Sequence, residues 1–365
     1  MAGNSFGKEF VITLFGESHG KCVGVIVDGC PAGLEFSEIE VQHDLDRRIP
    51  REPGISSSRI EEDKAELLSG TFQGRTTGAP IAMIVRNTNV DSQPYERFKD
   101  IPRPGHADYP ARVRYGGFND YRGGGRFTGR MTVAFVMAGA VAKKLLAHTG
   151  IEVLADTLSI ENVYSRTNLT REELRAQVYT TPVRCGDREA APLIQKAILE
   201  AAEAGDSVGG IVRAVAYGIP PGIGEPLFDS LDSELAKALF SIPAVKGVEF
   251  GSGFEAARSR GSQNNDPPTI RGGKVQFETN NAGGILGGLS TGSEIVVQVA
   301  FKPTPSIRRK QRSVNLASMK ETELELGGRH DPCVVPKAVP VVEAVVSIVL
   351  ADFMIRYGAI PKVLK

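Results

Sequence analysis

Tyr121-Arg-Gly-Gly-Gly-Arg-Phe-Thr-Gly-Arg-Met-Thr132 is the stretch from which the fold of this 365-residue chain is best read. Its three consecutive glycines accept positive φ and leave backbone amides open to a ligand. The flanking arginines are planar donors suited to phosphate or carboxylate. An alanine-, valine- and leucine-rich run follows and predicts a buried helix from Thr132 to near Gly150. A glycine-rich loop at a helix N-terminus indicates an anion site, and a turn with solvated arginines is the alternative.

The composition limits the classes of partner that the chain can bind. It has 43 basic and 43 acidic side chains and zero formal net charge, so no long-range field attracts nucleic acid or a membrane surface. The four cysteines form neither a C-x-x-C pair nor a zinc-binding spacing, and no signal sequence opens the chain. We therefore expect a cytoplasmic protein with reduced thiols. The longest apolar stretches are interrupted by Lys143-Lys144 or by Glu343 and predict no membrane span.

Three further glycine-marked turns each carry a histidine. Gly16-Glu-Ser-His-Gly-Lys21 joins two β-rich runs and is expected to expose Ser18 and His19. Arg103-Pro-Gly-His-Ala-Asp-Tyr109 and Gly327-Gly-Arg-His-Asp-Pro-Cys333 place a histidine beside arginine and aspartate. Such a histidine suits acid/base chemistry, although turns of this kind also occur without a function. Arginines recur between 103 and 130 at a density that a multiply charged anionic ligand would explain.

Other patterns indicate the scaffold and a second ligand-facing surface. Ser37-Glu-Ile-Glu40 is a capping box that predicts a helix as far as Arg48, whose side chain complements the helix dipole or faces a ligand. The glycine pairs in 280–292 leave the backbone open to a flat ring, and Lys302-Pro-Thr-Pro-Ser306 offers phosphate donors. Gly251-Ser-Gly-Phe-Glu-Ala256 imitates a dinucleotide fingerprint, but the polar, proline-rich sequence after it is not the helix that such a site needs.

These motifs together resemble the chorismate synthase family. The matching segments occur in the family's order over almost the whole chain: Gly16-Glu-Ser-His-Gly20, Arg103-Pro-Gly-His-Ala-Asp108, Gly123-Gly-Gly-Arg126, Asn281-Ala-Gly-Gly-Ile-Leu-Gly-Gly288 and Gly328-Arg-His-Asp-Pro-Cys333. The resemblance implies an α+β fold with helices sandwiched between antiparallel β-sheets, a single unit over residues 1–365, and a homotetramer. It also implies an anti-1,4-elimination in which 5-enolpyruvylshikimate 3-phosphate loses phosphate and a ring hydrogen to give chorismate, with reduced FMN as cofactor.

The resemblance also assigns roles to residues of this chain. By resemblance, His19 protonates the departing phosphate and His106 stabilises the charge of the reduced flavin. Asp331, relayed through Ser18 and Thr128, acts at flavin N5. The positions that match FMN contacts are Arg126, Phe127, Thr128, Pro243, Ala244, Gly287, Lys302, Pro303, Thr304, Pro305, Ser306 and Arg329. The arginines expected at the substrate are Arg48, which matches a site for a phosphate-bearing ligand or NADP, and Arg51, Arg59, Arg103 and Arg130.

Three positions depart from the family's pattern. Phe127 stands where many relatives have serine, so Thr128 must supply any hydroxyl relay at this point. Gly54 stands where relatives often have a second loop arginine, so Arg51 or Arg59 would substitute for it. Pro243 occupies a position that is often asparagine, and it has neither that side-chain contact nor a backbone donor.

Two alternative functions and several further expectations accompany this interpretation. The arginine-glycine segments resemble RNA-binding boxes, but such boxes repeat in basic, disordered tails, and we expect no nucleic-acid or membrane partner. Another flavin-dependent phosphate lyase is the alternative within enzymes.

We expect FMN between Gly287-Gly288 and the loop 302–306, with FMN and substrate strengthening each other's binding. Reduced FMN is expected from an external flavin reductase or reductant. Mobile loops are expected near 49–60, 103–130 and 305–330.

Overall fold

The structure, a computed structural model, describes residues 3–49, 54–55, 62–88, 90–326 and 330–365. Its strands are, in chain order, β1 (Ser5–Phe6), β2 (Val11–Gly16), β3 (Cys22–Asp28), β4 (Ala65–Leu67), β5 (Thr71–Phe72), β6 (Arg75–Thr76), β7 (Ile81–Arg86), β8 (Glu152–Ile160), β9 (Val163–Tyr164), β10 (Gly210–Tyr217), β11 (Val245–Phe250), β12 (Pro268–Arg271), β13 (Lys274–Phe277), β14 (Ile285–Leu286), β15 (Leu289–Ser290), β16 (Ile295–Phe301), β17 (Gln311–Asn315) and β18 (Lys320–Leu324). Its α-helices are α1 (Glu38–Arg48), α2 (Asp108–Arg114), α3 (Thr132–Ala147), α4 (Arg171–Gln177), α5 (Ala190–Glu203), α6 (Leu231–Leu239), α7 (Gly261–Asn264) and α8 (Val335–Arg356). Short 3-10 helices cover Gln93–Lys99, Arg122–Gly124, Gly129–Met131, Val178–Thr180, Leu227–Asp229 and Gly253–Arg258.

Two five-stranded antiparallel sheets form the outer layers. The N-terminal sheet has the strand order β1-β2-β3-β7-β4, and the C-terminal sheet has the order β11-β16-β10-β8-β9. Neighbouring strands run antiparallel throughout both sheets. Along β16, buried and half-buried residues alternate, which is the pattern of a strand with one face on a core.

Helices α3 and α8 fill the space between the sheets. They pack against each other, α3 covers β2, β3 and β7, and α8 covers β8 and β10. A side chain at Gly139 of α3 would collide with Ala344 of α8, so the two helices approach closely there. Among the described residues, the larger cluster of buried apolar side chains extends from Phe10 to Leu364. The predicted fold class, α+β with helices sandwiched between antiparallel sheets, is confirmed.

Local sequence signals account for the ends of the helices. The carboxylate of Glu40 accepts a hydrogen bond from the backbone N–H of Ser37 at 3.0 Å, so the predicted capping box opens α1. Helix α3 begins at Thr132, directly after the glycine-rich loop as predicted, and ends at Ala147. After Gly251 the chain forms a 3-10 helix and then the four-residue α7. The dinucleotide-like pattern therefore has no long helix behind it, as predicted.

Helix α8 corrects one expectation. It begins at Val335 with Pro336 in its first turn and contains Pro340 within its length. Among the described helices, α8 is long and apolar enough, by length and composition, to cross a membrane, but this apolar segment is entirely buried inside the protein. The prediction that Glu343 interrupts the stretch below the length of a span is therefore wrong. Burial between two sheets explains a helix that is apolar on all sides.

Candidate active site

A cavity of about 780 Å³ opens where both central helices begin. Thr132, the first residue of α3, and Val334, which precedes α8, both lie in its wall. A helix N-terminus presents unpaired N–H groups and partial positive charge. Among the described residues, the wall also contains seven cationic side chains and two aspartates: Arg48, Arg103, Arg126, Arg130, Lys246, Lys302, Lys337, Asp63 and Asp331. The cavity therefore favours a ligand with several negative charges.

The glycine triplet makes room for two histidine turns. A Cβ atom at Gly123 would lie 2.5 Å from Nε2 of His19, and one at Gly124 would lie 3.1 Å from Nε2 of His106. Both glycines have positive φ, 59° and 82°, which an L side chain rarely adopts. The sequence predicts that the triplet exposes amides to a ligand. The structure shows a second reason for the glycines, since they let both histidines approach neighbouring residues of one loop.

His19 is buried behind this loop. Its residue surface is 7% exposed, its Nδ1 lies 2.9 Å from Oγ of Ser92, and its ring meets the ring of Tyr95 edge-on with the centroids 5.1 Å apart. Ser18 lies in the cavity wall and is itself 2% exposed. The expectation of a turn that exposes Ser18 and His19 is therefore wrong, because Ser92, Tyr95 and the glycine loop cover the turn.

His106 lies in the wall between an arginine and an aspartate. Gly105, at φ 71°, turns the chain so that Arg103, His106 and Asp108 come together. Nδ1 of His106 lies 2.6 Å from Oδ1 of Asp108, and Nε and Nη2 of Arg103 each donate to the same carboxylate at 2.8 Å. Burial acts to raise the pKa of Asp108, but the hydrogen bonds from Arg103 and His106 outweigh it and hold that pKa well below its usual value.

Asp63 joins two of the arginines expected at the substrate. Its carboxylate pairs with Arg48 at 3.1 Å and also with Arg130, and its side chain is 1% exposed. Arg48 in addition donates to Oγ1 of Thr132 at 2.9 Å and to the carbonyl oxygen of Gly129 at 3.1 Å. One buried carboxylate thus orients two guanidinium groups at the start of α3. Together with Asp63 they carry a net positive charge.

The loop 302–306 ties the turns of the site together. Nζ of Lys302 donates to the carbonyl oxygen of Gly105 at 2.7 Å, and Oγ1 of Thr304 donates to the carbonyl oxygen of Asp331 at 2.7 Å. Burial, together with the nearby charge of Lys246, lowers the pKa of Lys302. The loop residues in the cavity wall are Lys302, Thr304, Pro305 and Ser306.

Ala244 brings a strained backbone into the wall. Its φ is 74°, a left-handed conformation that costs a residue with a Cβ atom about 1–2 kcal/mol. Its carbonyl oxygen accepts a hydrogen bond from the N–H of Lys302 at 3.0 Å, and both Ala244 and Pro243 line the cavity. Strain of this kind is typical of ligand sites, where the surrounding structure holds an unfavourable conformation in place.

Asp331 lies in the wall just before α8. Nζ of Lys337, in the first turn of that helix, lies 2.6 Å from Oδ1 of Asp331. Ser18 and Thr128, the two residues expected to relay a proton, lie in the same wall. The side chain of Thr128 accepts a hydrogen bond from the backbone N–H of Arg130 at 3.3 Å. The structure thus brings the three expected relay residues to one cavity.

Most of the other expected site residues also line this cavity. Those in the wall are Ser18, Arg48, Arg103, His106, Arg126, Phe127, Thr128, Arg130, Pro243, Ala244, Lys302, Thr304, Pro305, Ser306 and Asp331. His19 lies behind Gly123, and Pro303 is not among the wall residues.

Gly54 has φ 84°, and a Cβ atom there would lie 2.8 Å from Leu199, so an arginine would be strained at this position. Three expected residues lie outside the described part of the chain, namely Arg51, Arg59 and Arg329.

Gly287 is an expected FMN contact that the structure places elsewhere. With Gly288 it forms the turn between β14 and β15, and the carbonyl oxygen of Gly288 accepts a hydrogen bond from the N–H of Leu231 at 3.0 Å. Neither glycine is among the wall residues. Because the β14–β15 hairpin packs against the start of α6, the expected pocket between these glycines and the loop 302–306 is not part of this cavity.

The residues that orient the site are the ones that sequence reasoning missed. Asp63 and Asp108 each hold arginines of the wall, and Lys337 pairs with Asp331. The sequence did contain a signal for Asp108, because this residue ends the family motif that begins at Arg103. Asp63 pairs with residues 15 and 67 positions away, and no local sequence pattern reveals such partners.

The segments expected to be mobile contain regular structure where they are described. The segment 103–130 includes α2, and 305–330 includes the paired strands β17 and β18. The segment 49–60 lies mostly outside the described residues. The mobility of these segments stays a prediction.

Comparisons with known proteins agree on one family. A family model described as chorismate synthase matches residues 10–355, a range that contains every wall residue of the cavity. The chain is 52% identical over 356 residues to the chorismate synthase of Korarchaeum cryptofilum, with 98% of each chain covered. It is 51% identical over 362 residues to a chorismate synthase of Dehalococcoides mccartyi, with 99% of each chain covered.

A solved structure shares the fold. A crystal structure of chorismate synthase matches with a TM-score of 0.75 and 32% sequence identity, over 96% of this chain and 93% of that chain. The similarity therefore includes both sheets and the helices between them, and it is not limited to the glycine-rich loops.

Proposed function

The chain belongs to the chorismate synthase family, whose members are lyases, and on that premise we propose that it converts 5-enolpyruvylshikimate 3-phosphate into chorismate, the last step of the shikimate pathway. The observation that carries this proposal is the cavity in which two histidine turns meet one glycine triplet, with seven cationic side chains in the part of its wall that the structure describes. The substrate has one phosphate and two carboxylates, and the proposed cofactor FMN adds a further phosphate. These groups match the excess of positive charge.

The arginines of the wall are oriented to bind the anionic groups of the substrate. Arg48 and Arg130 share the buried Asp63, and Arg103 is held in two-point contact by Asp108. A guanidinium group held in one orientation loses less side-chain entropy when it binds phosphate or carboxylate. We assign Arg48, Arg103 and Arg130 to the substrate on this ground. Arg51 and Arg59 stay proposed on the family resemblance alone.

The donor set of the wall fits FMN. Lys302, Thr304 and Ser306 offer an ammonium and two hydroxyl groups suited to its phosphate, and Phe127 and Pro243 offer apolar surface to its ring. When bound, reduced FMN supplies electron density that assists the loss of phosphate and is recovered when the ring hydrogen leaves. The protein's own part is to orient the two ligands and to handle protons. Arg126, Thr128, Ala244 and Pro305, which also lie in the wall, are further proposed cofactor contacts. Gly287, Pro303 and Arg329 stay proposed on the family resemblance alone.

Proton handling falls to three side chains. His19, positioned by Ser92, protonates the departing phosphate from behind Gly123. His106, paired with Asp108, would stabilise the charge of the bound reduced cofactor. Asp331, paired with Lys337, would hold or move a proton at the N5 position of FMN, with Ser18 and Thr128 as hydroxyl relays.

We propose four further properties on the same premise. The chain folds as a single unit, which its continuous core from Phe10 to Leu364 supports. It works in the cytoplasm as a homotetramer. FMN and substrate bind cooperatively, because the wall that suits the phosphate of one also holds the arginines that suit the other. Reduced FMN comes from an external flavin reductase or reductant, because the dinucleotide-like pattern at Gly251 lacks its helix.

Anaerobic turnover tests the proposed function. The purified protein, given 5-enolpyruvylshikimate 3-phosphate and chemically reduced FMN without oxygen, should release chorismate and phosphate in equal amounts. His19→Ala should lower turnover by about 10²- to 10⁴-fold, the usual contribution of a general acid, with FMN binding retained. His148→Ala, an exposed histidine at the opposite end of α3, is the matched control and should turn over as the wild type does.

The outcomes separate the function from the role of one residue. No chorismate from the wild-type protein under these conditions would refute the function. Wild-type turnover in His19→Ala would refute only the assignment of that histidine as the general acid.

A further inference from the structure

Asp108 is a buried carboxylate behind the wall of the cavity. Its side chain is 5% exposed, and it accepts hydrogen bonds from the backbone N–H of Arg103 at 3.0 Å and from Nε and Nη2 of the same residue at 2.8 Å. Nδ1 of His106 lies 2.6 Å from Oδ1. A carboxylate has about four acceptor sites, so these neighbours use its full capacity. Asp108 is not among the wall residues, and it acts on the cavity through His106.

Within the described part of the chain, one anion and two cations lie around His106. Asp108 contacts Nδ1, and Nη2 of Arg103 lies 3.1 Å from Nδ1 and 3.3 Å from Nε2. Nζ of Lys302 binds the carbonyl oxygen of the preceding Gly105 at 2.7 Å. From the glycine loop, the uncharged Gly124 faces Nε2. Without Asp108 the ring would face cations alone, and these oppose a positive charge on it.

We propose that Asp108 is a positioning residue that accepts the Nδ1 proton of His106, fixes the orientation and tautomer of the ring, and lets the ring hold a second proton in a cavity rich in cations. That second proton moves on and off Nε2, the nitrogen beside Gly124, while the Nδ1 proton stays with Asp108. The partner of one ring nitrogen decides the protonation of the other in this way at many sites. The catalytic consequence rests on the proposed function, whereas the protonation of His106 does not.

Hydrogen exchange at Cε1 of histidine, followed by mass spectrometry over a range of pH, tests this role in the protein without ligand. The exchange rate reports protonation of each imidazole in its own peptide, whatever the size of the assembly. In Asp108→Asn, the pH of half-maximal exchange at His106 should fall by about one pH unit or more, since an opposite charge in contact has been removed. The exposed His148 is the internal reference and should not change. Asp100→Asn, which removes the partly exposed partner of Arg112, is the matched control and should leave His106 as in the wild type.

A second variant keeps the proposal testable if Asp108→Asn fails to fold. Arg103→Met removes a cation beside His106 and leaves the pair with Asp108, so the half-maximal exchange of His106 should move to higher pH. No shift at His106 in Asp108→Asn, or no upward shift in Arg103→Met, overturns the proposal.

Turnover distinguishes this proposal from the proposed function. In the anaerobic assay, the pH profile of turnover by Asp108→Asn should move by as much as the exchange profile of His106. A pH profile like that of the wild type overturns the positioning role in a protein that still makes chorismate. A wild-type protein that makes no chorismate refutes the function, and a shifted exchange profile at His106 would still support the role of Asp108 in protonation.

Discussion

Two of the regions with buried charges differ in how well those charges are balanced. The helix cluster joins Asp44 and Arg47 of α1, Lys143 of α3 and Glu343 of α8 to Tyr179. Its two carboxylates face two cations, since Nη1 of Arg47 lies 3.9 Å from Oδ1 of Asp44. Nζ of Lys143 lies 2.6 Å from Asp44 and 2.9 Å from Glu343, and the hydroxyl of Tyr179 donates to Glu343 at 3.1 Å. In the cavity wall, by contrast, seven cationic side chains face two aspartates among the described residues.

The difference separates scaffold from binding site. A buried charge with a partner on each neighbouring helix fixes how the helices pack, and it leaves nothing for a ligand to neutralise. The cavity cations exceed their carboxylate partners in number, so a polyanionic ligand gains attraction there that the protein itself does not satisfy. Imbalance of charge, rather than burial of charge, therefore distinguishes the proposed functional region of this protein.

The largest effect should come from breaking the helix cluster. Lys143→Met removes the cation that lies between two buried carboxylates and should lower the free energy of unfolding by about 3–5 kcal/mol, measured by urea denaturation. Arg126→Met, a change of the same kind at an exposed residue of the cavity wall, should change it by less than about 1 kcal/mol. Equal losses in the two variants would contradict the comparison.

A smaller effect should come from filling the cavity with an anion. Inorganic phosphate at about a hundred times its dissociation constant should raise the free energy of unfolding by about 2.7 kcal/mol, measured by thermal unfolding against sodium chloride of equal ionic strength. Lys302→Met should lose most of this stabilisation, because the ammonium group lies in the wall. Lys144→Met, which removes a partly exposed partner of Glu40, should keep it. The comparison fails if chloride stabilises the wild type as strongly as phosphate.

The smallest effect should appear in the pH dependence of the helix cluster. Burial acts to raise the pKa of Asp44, but Lys143, His43 and Arg47 together outweigh it, and the pKa falls below its ordinary value of 3.8. Burial acts to lower the pKa of Lys143, but Glu343 and Asp44 outweigh it, and the pKa rises above 10.5. An acid whose pKa is lowered by folding stabilises the protein at pH values above its ordinary pKa, and this stabilisation is lost as the pH falls through the pKa of the folded state. A lysine whose pKa is raised by folding stabilises the protein at pH values below 10.5, and this stabilisation is lost as the pH rises through the pKa of the folded state.

The stability difference between the wild type and Lys143→Met should therefore be largest between pH 3.8 and pH 10.5. Below and above this range the difference should shrink, by on the order of 1 kcal/mol for each unit of pKa shift. Urea denaturation of both proteins across the pH range measures it. A difference that does not vary with pH would show that Lys143 stabilises the helices by packing alone.

Much of the fold could be predicted from local signals. The capping box at Ser37 predicts the start of α1, and the glycine-rich loop predicts the start of α3 at Thr132. The apolar stretch of α8 was judged too short for a membrane span, because Glu343 looked like an interruption of it. The charge of Glu343 is compatible with burial because Nζ of Lys143 lies 2.9 Å from its carboxylate. Lys143 is 200 positions away in the chain.

The candidate site could be predicted in part. The histidine turns and the loop 302–306 were identified by residue type, and the structure brings them to one cavity. The exposure of His19 was not predicted correctly, since it depends on which segment packs against the histidine. Gly287 is not among the wall residues, and its contact with FMN stays a prediction. Ser92 and Tyr95 cover the histidine, and the start of α6 holds the turn of Gly287 away from the cavity wall.

The amino-acid sequence by itself determined the turns, the caps, the hydrophobic runs and the family resemblance, because these depend on residues a few positions apart and on the order of short motifs. Only the tertiary structure decided which carboxylate stands behind which cation or histidine. Asp63 joins Arg48 to Arg130, and Lys302 reaches Gly105 across 197 positions. The physical reason is that Coulomb attraction and hydrogen bonding depend on distance in space. Spacing along the chain sets that distance only within a helix turn, a strand pair or a loop.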